Sequence, residues 1–252
     1  MQGMHTADFY TGLVAQMYAP LKSESFDAGP YAEFIRVHGQ PALELGCGDG
    51  EPMLELLQQG LDVDGVDSSP DMLARFRTVA EIQGLAPQLH AQRMEELDLQ
   101  RSYRSVFLAG PTILLLPDDA AVVETLRRIR EHLAPEGAAL VPLWIPEPAA
   151  GEDIGQVRET VDDDGAVLRL TLVSQDRDER SRTQRTVLRY ERRRGDVVDV
   201  AEREWLLHWH TRAGFAALAE RAGLHAETRA DGGDASSLDS PGSSWSVLLR
   251  RW

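Results

Sequence analysis

Apolar residues along the chain fall into three regimes of spacing. In the first forty residues Phe9, Leu13 and Met17, and then Tyr31, Phe34 and Ile35, recur at helical intervals, which predicts helices ahead of the main fold. From Pro41 to Leu143 short apolar runs such as Ala42-Leu43-Glu44-Leu45 alternate with stretches of helical periodicity. That alternation predicts an α/β fold, a mostly parallel, doubly wound sheet with crossover helices on both faces. Past Val141-Pro142-Leu143-Trp144 the pattern changes. Residues 146–164, rich in Pro, Gly, Asp and Glu, predict a loop. Val167 to Ser174, Thr183 to Arg192 and Val197 to His208 then alternate polar and apolar side chains around a turn at Arg194-Gly195-Asp196, which predicts an antiparallel β insertion. Helical spacing returns through Phe215, Leu218 and Ala222, Asp231 to Gly242 reads as a hairpin or flexible loop, and Trp245 to Leu249 predicts a last strand. The expected division is leading helices over 1–40, a core over 41–145, the antiparallel insertion over 146–210 and a closing helix and strand over 211–252.

Within this pattern, Ala42-Leu43-Glu44-Leu45-Gly46-Cys47-Gly48-Asp49-Gly50 runs the end of a strand into a glycine-rich turn, and a second strand closes on Val66-Asp67-Ser68-Ser69-Pro70. Glycines at such a turn let the backbone approach a ligand closely, and an acid about 20 residues on can accept from both hydroxyls of a ribose. Asp67 stands at that distance. A dinucleotide fingerprint would place its third glycine where Glu51 stands, and no phosphate-loop lysine follows. Asp67 also suits a helix cap ahead of Pro70. The ligand is expected at the carboxyl ends of the strands, near the reversal of strand order.

With Glu44 ahead of the glycines, the pattern resembles the class I S-adenosylmethionine-dependent methyltransferases, whose first motif is an acid, an apolar residue and Gly-x-Gly-x-Gly. The resemblance runs over residues 14 to 145. Asp67-Ser68-Ser69-Pro70-Asp71-Met72-Leu73 is similar to the second motif. Arg93-Met94-Glu95-Glu96-Leu97 lies where the family faces the adenine, with Arg93 in place of the usual Asp, which leaves Glu95 or backbone groups to bind the adenine amino group. Ser105 to Gly110 resembles the fourth strand, and Leu126 to Gly137 the helix and turn before the fifth, with Glu136 replacing a glycine. The resemblance implies a Rossmann-like methyltransferase fold with S-adenosylmethionine as cofactor and leading helices that act as a lid. The implied cofactor contacts are Tyr18, Glu44, Gly46, Gly48, Asp67, Ser68, Met72, Met94, Glu95 and Ala109. Tyr18 matches a tyrosine that closes over the sulfonium in small-molecule members, and the antiparallel insertion matches a cap above the methyl group.

Composition narrows the acceptor. A net charge of −15 disfavours nucleic acid, and the run from Arg189 to Arg194 reads as solvated strand ends. One cysteine, Cys47, excludes an internal disulfide, and no Cys or His pair has structural-zinc spacing, so no metal is expected. Cys47, between two glycines, reads as a packing residue. With no export signal and no run of eighteen apolar residues, the expectation is a cytoplasmic protein, off the membrane, as a monomer or homodimer.

Trp144, Trp205, His208, Trp209, His210 and Arg212 cluster at the rim of the expected cap. Trp144, Trp209 and Arg212, with Tyr10 from the lid, are the candidate acceptor contacts for a small organic molecule. His208 and His210 are candidate proton acceptors that would share one strand face, with Trp209 on the other, although strand-end histidines need have no such role. Three function classes follow. One is methyl transfer to N, O or C of a small molecule, in specialised metabolism. The second is methyl transfer to protein or RNA, disfavoured because Ala109-Gly110-Pro111-Thr112 stands where an Asn-Pro-Pro-Tyr-like motif would be. The third is cofactor binding without catalysis.

Overall fold

Ala42–Leu45 (β1) is buried at every residue, as a central strand must be when helices cover both faces of its sheet. In the computed structural model, which describes residues 9–22, 26–229 and 239–252, β1 pairs in parallel with Val63–Asp67 (β2) on one side and Tyr103–Phe107 (β4) on the other. Gln88–Ala91 (β3) continues the sheet beyond β2, and Leu133–Trp144 (β5) continues it beyond β4, both in parallel. The chain therefore changes direction between β1 and β4, and the crevice at their carboxyl ends is the place where such sheets bind ligands.

Six helices accompany these strands among the described residues. Leu13–Leu21 (α1) and Gly29–His38 (α2) precede β1, and Met53–Gln58 (α3) and Pro70–Ile82 (α4) flank β2. Asp119–His132 (α5) connects β4 to β5, and Arg212–Arg221 (α6) follows the insertion. Apolar residues pack on both sides of the sheet. Phe34, Ile35, Phe76 and Leu248 are buried together on one face, and Leu126, Ile129, Phe215 and Trp245 on the other. Among the described residues no helix is long and apolar enough to cross a membrane.

The insertion is a second, four-stranded antiparallel sheet, Val157–Val161 (β6), Val167–Asp178 (β7), Thr183–Arg194 (β8) and Val197–His208 (β9), paired in chain order. Strand β6 lies within the segment that composition assigns to a loop. It is an edge strand with Val157 and Val161 both exposed, so no alternation of burial marks it in the sequence. Strand β7 also runs past Ser174, because a register shift between Leu172 and Ser174 breaks the alternation without ending the pairing. Two arginines of the run at the end of β8 are held in ion pairs. Arg189 pairs with Glu191 and Glu202, and Arg192 with Asp162 and Asp164. Helix α1 packs Val14, Met17 and Leu21 against Leu168 and Tyr190 of this second sheet, which ties the leading helix to the insertion.

Two more strands complete the central sheet. Ser244–Arg251 (β11) runs antiparallel beside β5, with Trp245 opposite Leu143, and Leu224–Arg229 (β10) forms the edge beyond it. The second of these has no counterpart among the expected elements, since only its first residue is buried. The result is a seven-stranded, mostly parallel Rossmann-like sheet of order β10-β11-β5-β4-β1-β2-β3. At the start of β5, Ala134–Gly137 bulges between the Leu133 and Ala138 pairings, and Glu136 adopts a left-handed backbone (φ 60°). This is the position where the resemblance leads one to expect glycine, and a side chain there costs roughly 1–2 kcal/mol. Of the expected loop over Asp231–Gly242, residues 231–238 lie outside the described residues, as do residues 23–25 of the segment after Tyr18.

Candidate active site

The turn after β1 is built for close approach. Gly46 and Gly48 take left-handed φ values of 76° and 51°. The amides of Gly46 and Cys47 both donate to the carbonyl of Val66, which folds the turn back over the end of β2. A Cβ on Gly46 would lie 2.6 Å from the Thr112 methyl, so the turn also packs against the segment after β4 with no room for a side chain. Cys47 is buried in the turn and its thiol is pushed up by that burial, which makes it a packing residue and not a thiolate.

Asp67 fastens this turn to the next one. Its Oδ2 accepts from the Gly48 amide at 2.8 Å and its Oδ1 from the Ser69 amide at 2.8 Å. Each carboxylate oxygen retains a further lone pair. Burial pushes the Asp67 carboxyl up, and the two backbone donors oppose that shift. The N-cap of α4 is Ser69, not Asp67: its hydroxyl accepts from the Met72 amide and donates to the Tyr10 carbonyl at 2.5 Å. Asp67 is thereby left facing the crevice.

A cavity of about 690 Å³ opens at the carboxyl ends of the strands. Nine of the ten expected cofactor contacts line it: Tyr18, Gly46, Gly48, Asp67, Ser68, Met72, Met94, Glu95 and Ala109. Tyr10 and Trp144 line it too. Tyr10 and Tyr18 meet edge to face at 5.4 Å. Burial raises both phenols, Tyr18 up to about 12, so each is a neutral hydroxyl near neutral pH and neither is a base. The cavity also has walls that the sequence reading did not single out for it. Phe26 covers Gly110, and Asp49, Glu51, Thr112, Leu114 and Trp245 contribute further surface. The spacing gives no signal for Trp245, which reaches the cavity only because β11 runs back antiparallel beside β5. The leading segment is tied to the core by a Lys22–Glu51 ion pair and by the Gly12 amide, which donates to Asp71 Oδ2 at 2.6 Å.

Glu44 is the exception among the cofactor candidates. It is fully buried within β1, lies behind the glycine turn and does not line the cavity. Neither of its carboxylate oxygens has a hydrogen-bond partner among the described residues. Burial, and then the charge of Asp67, push its carboxyl well above the usual range. A folded-state pKa above the unfolded value near 4.3 means that the stabilising contribution is complete below that pH and is lost as the pH rises toward the folded value. Glu44→Gln, uncharged throughout, is therefore expected to gain stability over the parent as pH rises from about 4 to about 8. Melting curves across that range check this, and a pH-independent difference would contradict a protonated Glu44.

The remaining four candidates are placed elsewhere. His208 and His210 do share a face, with ring centroids 4.5 Å apart, but they are 2% and 1% exposed and do not line the cavity. They are packed toward Asp119, at 3.5 and 3.8 Å, so neither can take a proton from a molecule in the cavity. Trp209, on the opposite face, is buried under the Arg177 guanidinium, 3.8 Å from its ring centre. Arg212 starts α6 near the Trp245 ring and also lies outside the cavity wall. Period-two alternation orders these side chains correctly relative to one another. It carries no information on which face meets the cavity, and Trp205 and Leu207 of β9 do so instead.

A family model described as a methyltransferase domain matches residues 42–137. The dTDP-3-amino-3,6-dideoxy-alpha-D-glucopyranose N,N-dimethyltransferase of Streptomyces fradiae is 29% identical over 147 residues, 55% of this chain and 56% of that protein. The chain spans about half the length of the curated relatives it matches. Among solved structures, the sugar N-methyltransferase KedS8 from Streptoalloteichus sp. ATCC 53650 superposes with a TM-score of 0.73 at 21% identity, over 96% of this chain and 94% of that one. The S-adenosylmethionine-bound structure of CalS10, an amino pentose methyltransferase from Micromonospora echinaspora, gives 0.67 at 23% identity, over 96% and 98%. At these identities the two structures establish a shared fold.

Proposed function

We propose, from the premise that residues 42–137 are a methyltransferase domain, that this chain transfers a methyl group from S-adenosylmethionine to the nitrogen of a small amine-bearing molecule, an amino sugar being the favoured class. The observation that carries the cofactor half is Asp67, held by two backbone amides at the rim of a glycine cradle that a Cβ would fill. The cradle, the free lone pairs of Asp67 and the thioethers of Met72 and Met94 fit a nucleoside with a sulfonium-bearing tail. When bound, that cofactor supplies a methyl group already activated for transfer.

The chain's own residues then have three tasks. Tyr18 and Tyr10, neutral and packed edge to face, close the cavity from the lid side and exclude water. Trp144, Trp205 and Leu207 line the same cavity and hold an acceptor in line, which is the main catalytic requirement when the leaving group is preactivated. Carboxylates dominate the ionisable lining, with Asp49, Glu51, Asp67 and Glu95 against Arg93. Such a rim attracts an ammonium and disfavours a polyanion. An amine that has shed its proton to solvent needs no side-chain base, which suits a cavity with no histidine among its lining residues.

The relatives named as an amino-sugar N,N-dimethyltransferase and a sugar N-methyltransferase support nitrogen over oxygen or carbon, and a tailoring step in specialised metabolism is the setting this reading implies. Methyl-labelled S-adenosylmethionine offered with amino sugars, matched hydroxyl-only sugars, RNA and bulk protein tests it. Label is expected on the amino sugars alone. Transfer to the hydroxyl sugars would overturn the nitrogen assignment, and transfer only to RNA or protein would overturn the small-molecule assignment.

A further inference from the structure

The histidines that the cavity leaves unused are themselves an unusual arrangement. Asp119, His208 and His210 offer three ligand atoms, all within 4.8 Å of one another. Asp119 Oδ1 lies 3.5 Å from His208 Nε2 and 3.8 Å from His210 Nδ1. A tetrahedral zinc ion with bonds of about 2.0–2.1 Å holds its donors roughly 3.3–3.4 Å apart, so small side-chain adjustments bring these three into range. Both nitrogens of His210 and Nδ1 of His208 have no hydrogen-bond partner among the described residues, although the two side chains are only 1% and 3% exposed. Buried imidazole nitrogens are rarely left unbonded without a reason.

We propose that Asp119, His208 and His210 form a binding site for a divalent transition metal of the imidazole-preferring class, zinc above all, separate from the methyl-transfer cavity. Two imidazoles and one carboxylate are a donor set that suits zinc, copper or nickel and not magnesium or calcium. The half-exposed Asp119 side chain, at the first turn of α5, is the entry. Arg182 guards it. Its guanidinium bonds Asp119 Oδ1 at 2.6 Å and lies 3.4 Å from His208 Nε2, so it occupies the position a cation would take and must swing away for an ion to enter. Among the described residues the Arg182 guanidinium is otherwise held by the Trp209 carbonyl, at 3.2 Å, and a third of its side chain is exposed. A bound ion would join α5 of the central fold to the junction of β9 and α6, and so clamp the strand that carries Trp205 and Leu207.

The test uses full-length, tag-free protein, zinc chloride and a competing chromophoric chelator. The parent is expected to take up one equivalent of zinc and to melt several degrees higher with it. Asp119→Asn and His210→Asn should each weaken zinc binding at least tenfold. Arg182→Ala should tighten it at least threefold, because the competing guanidinium is gone. Asp119→Asn changes a partly exposed side chain and serves as the decisive variant if His210→Asn does not fold. Cobalt in place of zinc should give a visible absorption spectrum of nitrogen and oxygen coordination that Asp119→Asn alters. Failure of the parent to compete for zinc would overturn the site, as would zinc affinity unchanged by Asp119→Asn and Arg182→Ala.

Discussion

Asp67→Ala is expected to lower the affinity for S-adenosylmethionine by about two orders of magnitude or more. Two ribose hydroxyls donating to a charged acceptor contribute roughly 1.5–3 kcal/mol each, and about 1.4 kcal/mol corresponds to a factor of ten. The variant also frees the amides of Gly48 and Ser69, so the glycine turn loses its fastening along with the ligand contact. Asp67→Asn separates the two losses. It keeps one acceptor oxygen and the shape of the side chain, and it should fall between the parent and the alanine variant. The raised Asp67 carboxyl adds a pH signature, since affinity should decline with acid as the carboxylate is protonated, earlier than for an ordinary aspartate. Titration calorimetry reads both effects. Affinity within threefold of the parent for Asp67→Ala would remove Asp67 from the ribose site.

The wall proposed for the cofactor is far more legible in the sequence than the wall proposed for the acceptor, and the reason is local. The proposed cofactor contacts from Gly46 to Met72 sit on one strand, turn, strand and helix-start unit, so spacing along the chain fixes their arrangement in space. The strand order reverses beside this unit, where β4 pairs on the other side of β1. The wall proposed for the acceptor is assembled from the leading helix, the second sheet and β11, whose relative placement depends on long-range packing. Trp144 is seen because it ends β5, whereas Trp245 reaches the cavity through its pairing with Leu143, 102 positions away in sequence. His208 and His210 show the limit most clearly. Alternation correctly puts them together and away from Trp209, but the sheet turns that face toward α5 and Asp119. Glu44 is a related case, where the acid ahead of the glycines is buried within β1 and does not line the cavity.

Gly46→Val is expected to abolish measurable cofactor binding, and the milder Gly46→Ala to separate the causes. Alanine at φ 76° carries the left-handed backbone penalty of roughly 1–2 kcal/mol. Its Cβ would also stand 2.6 Å from the Thr112 Cγ2 methyl, well inside contact distance. Thr112 cannot simply rotate away, because its hydroxyl donates to the Ala109 carbonyl at 3.0 Å. Both Gly46 and Thr112 line the cavity, so the displacement falls where the ligand must lie. Thr112→Ser removes only the offending methyl and keeps the hydroxyl bond. The double variant Gly46→Ala/Thr112→Ser should therefore recover part of the affinity and melting temperature lost in Gly46→Ala, with the backbone share remaining. Full recovery would mean that space alone, and not the left-handed conformation, demands glycine at this turn. No recovery would put the whole cost in the backbone. Binding by Gly46→Ala equal to the parent would show that the turn does not approach the cofactor, and the cradle would then have to be sought elsewhere along the cavity wall.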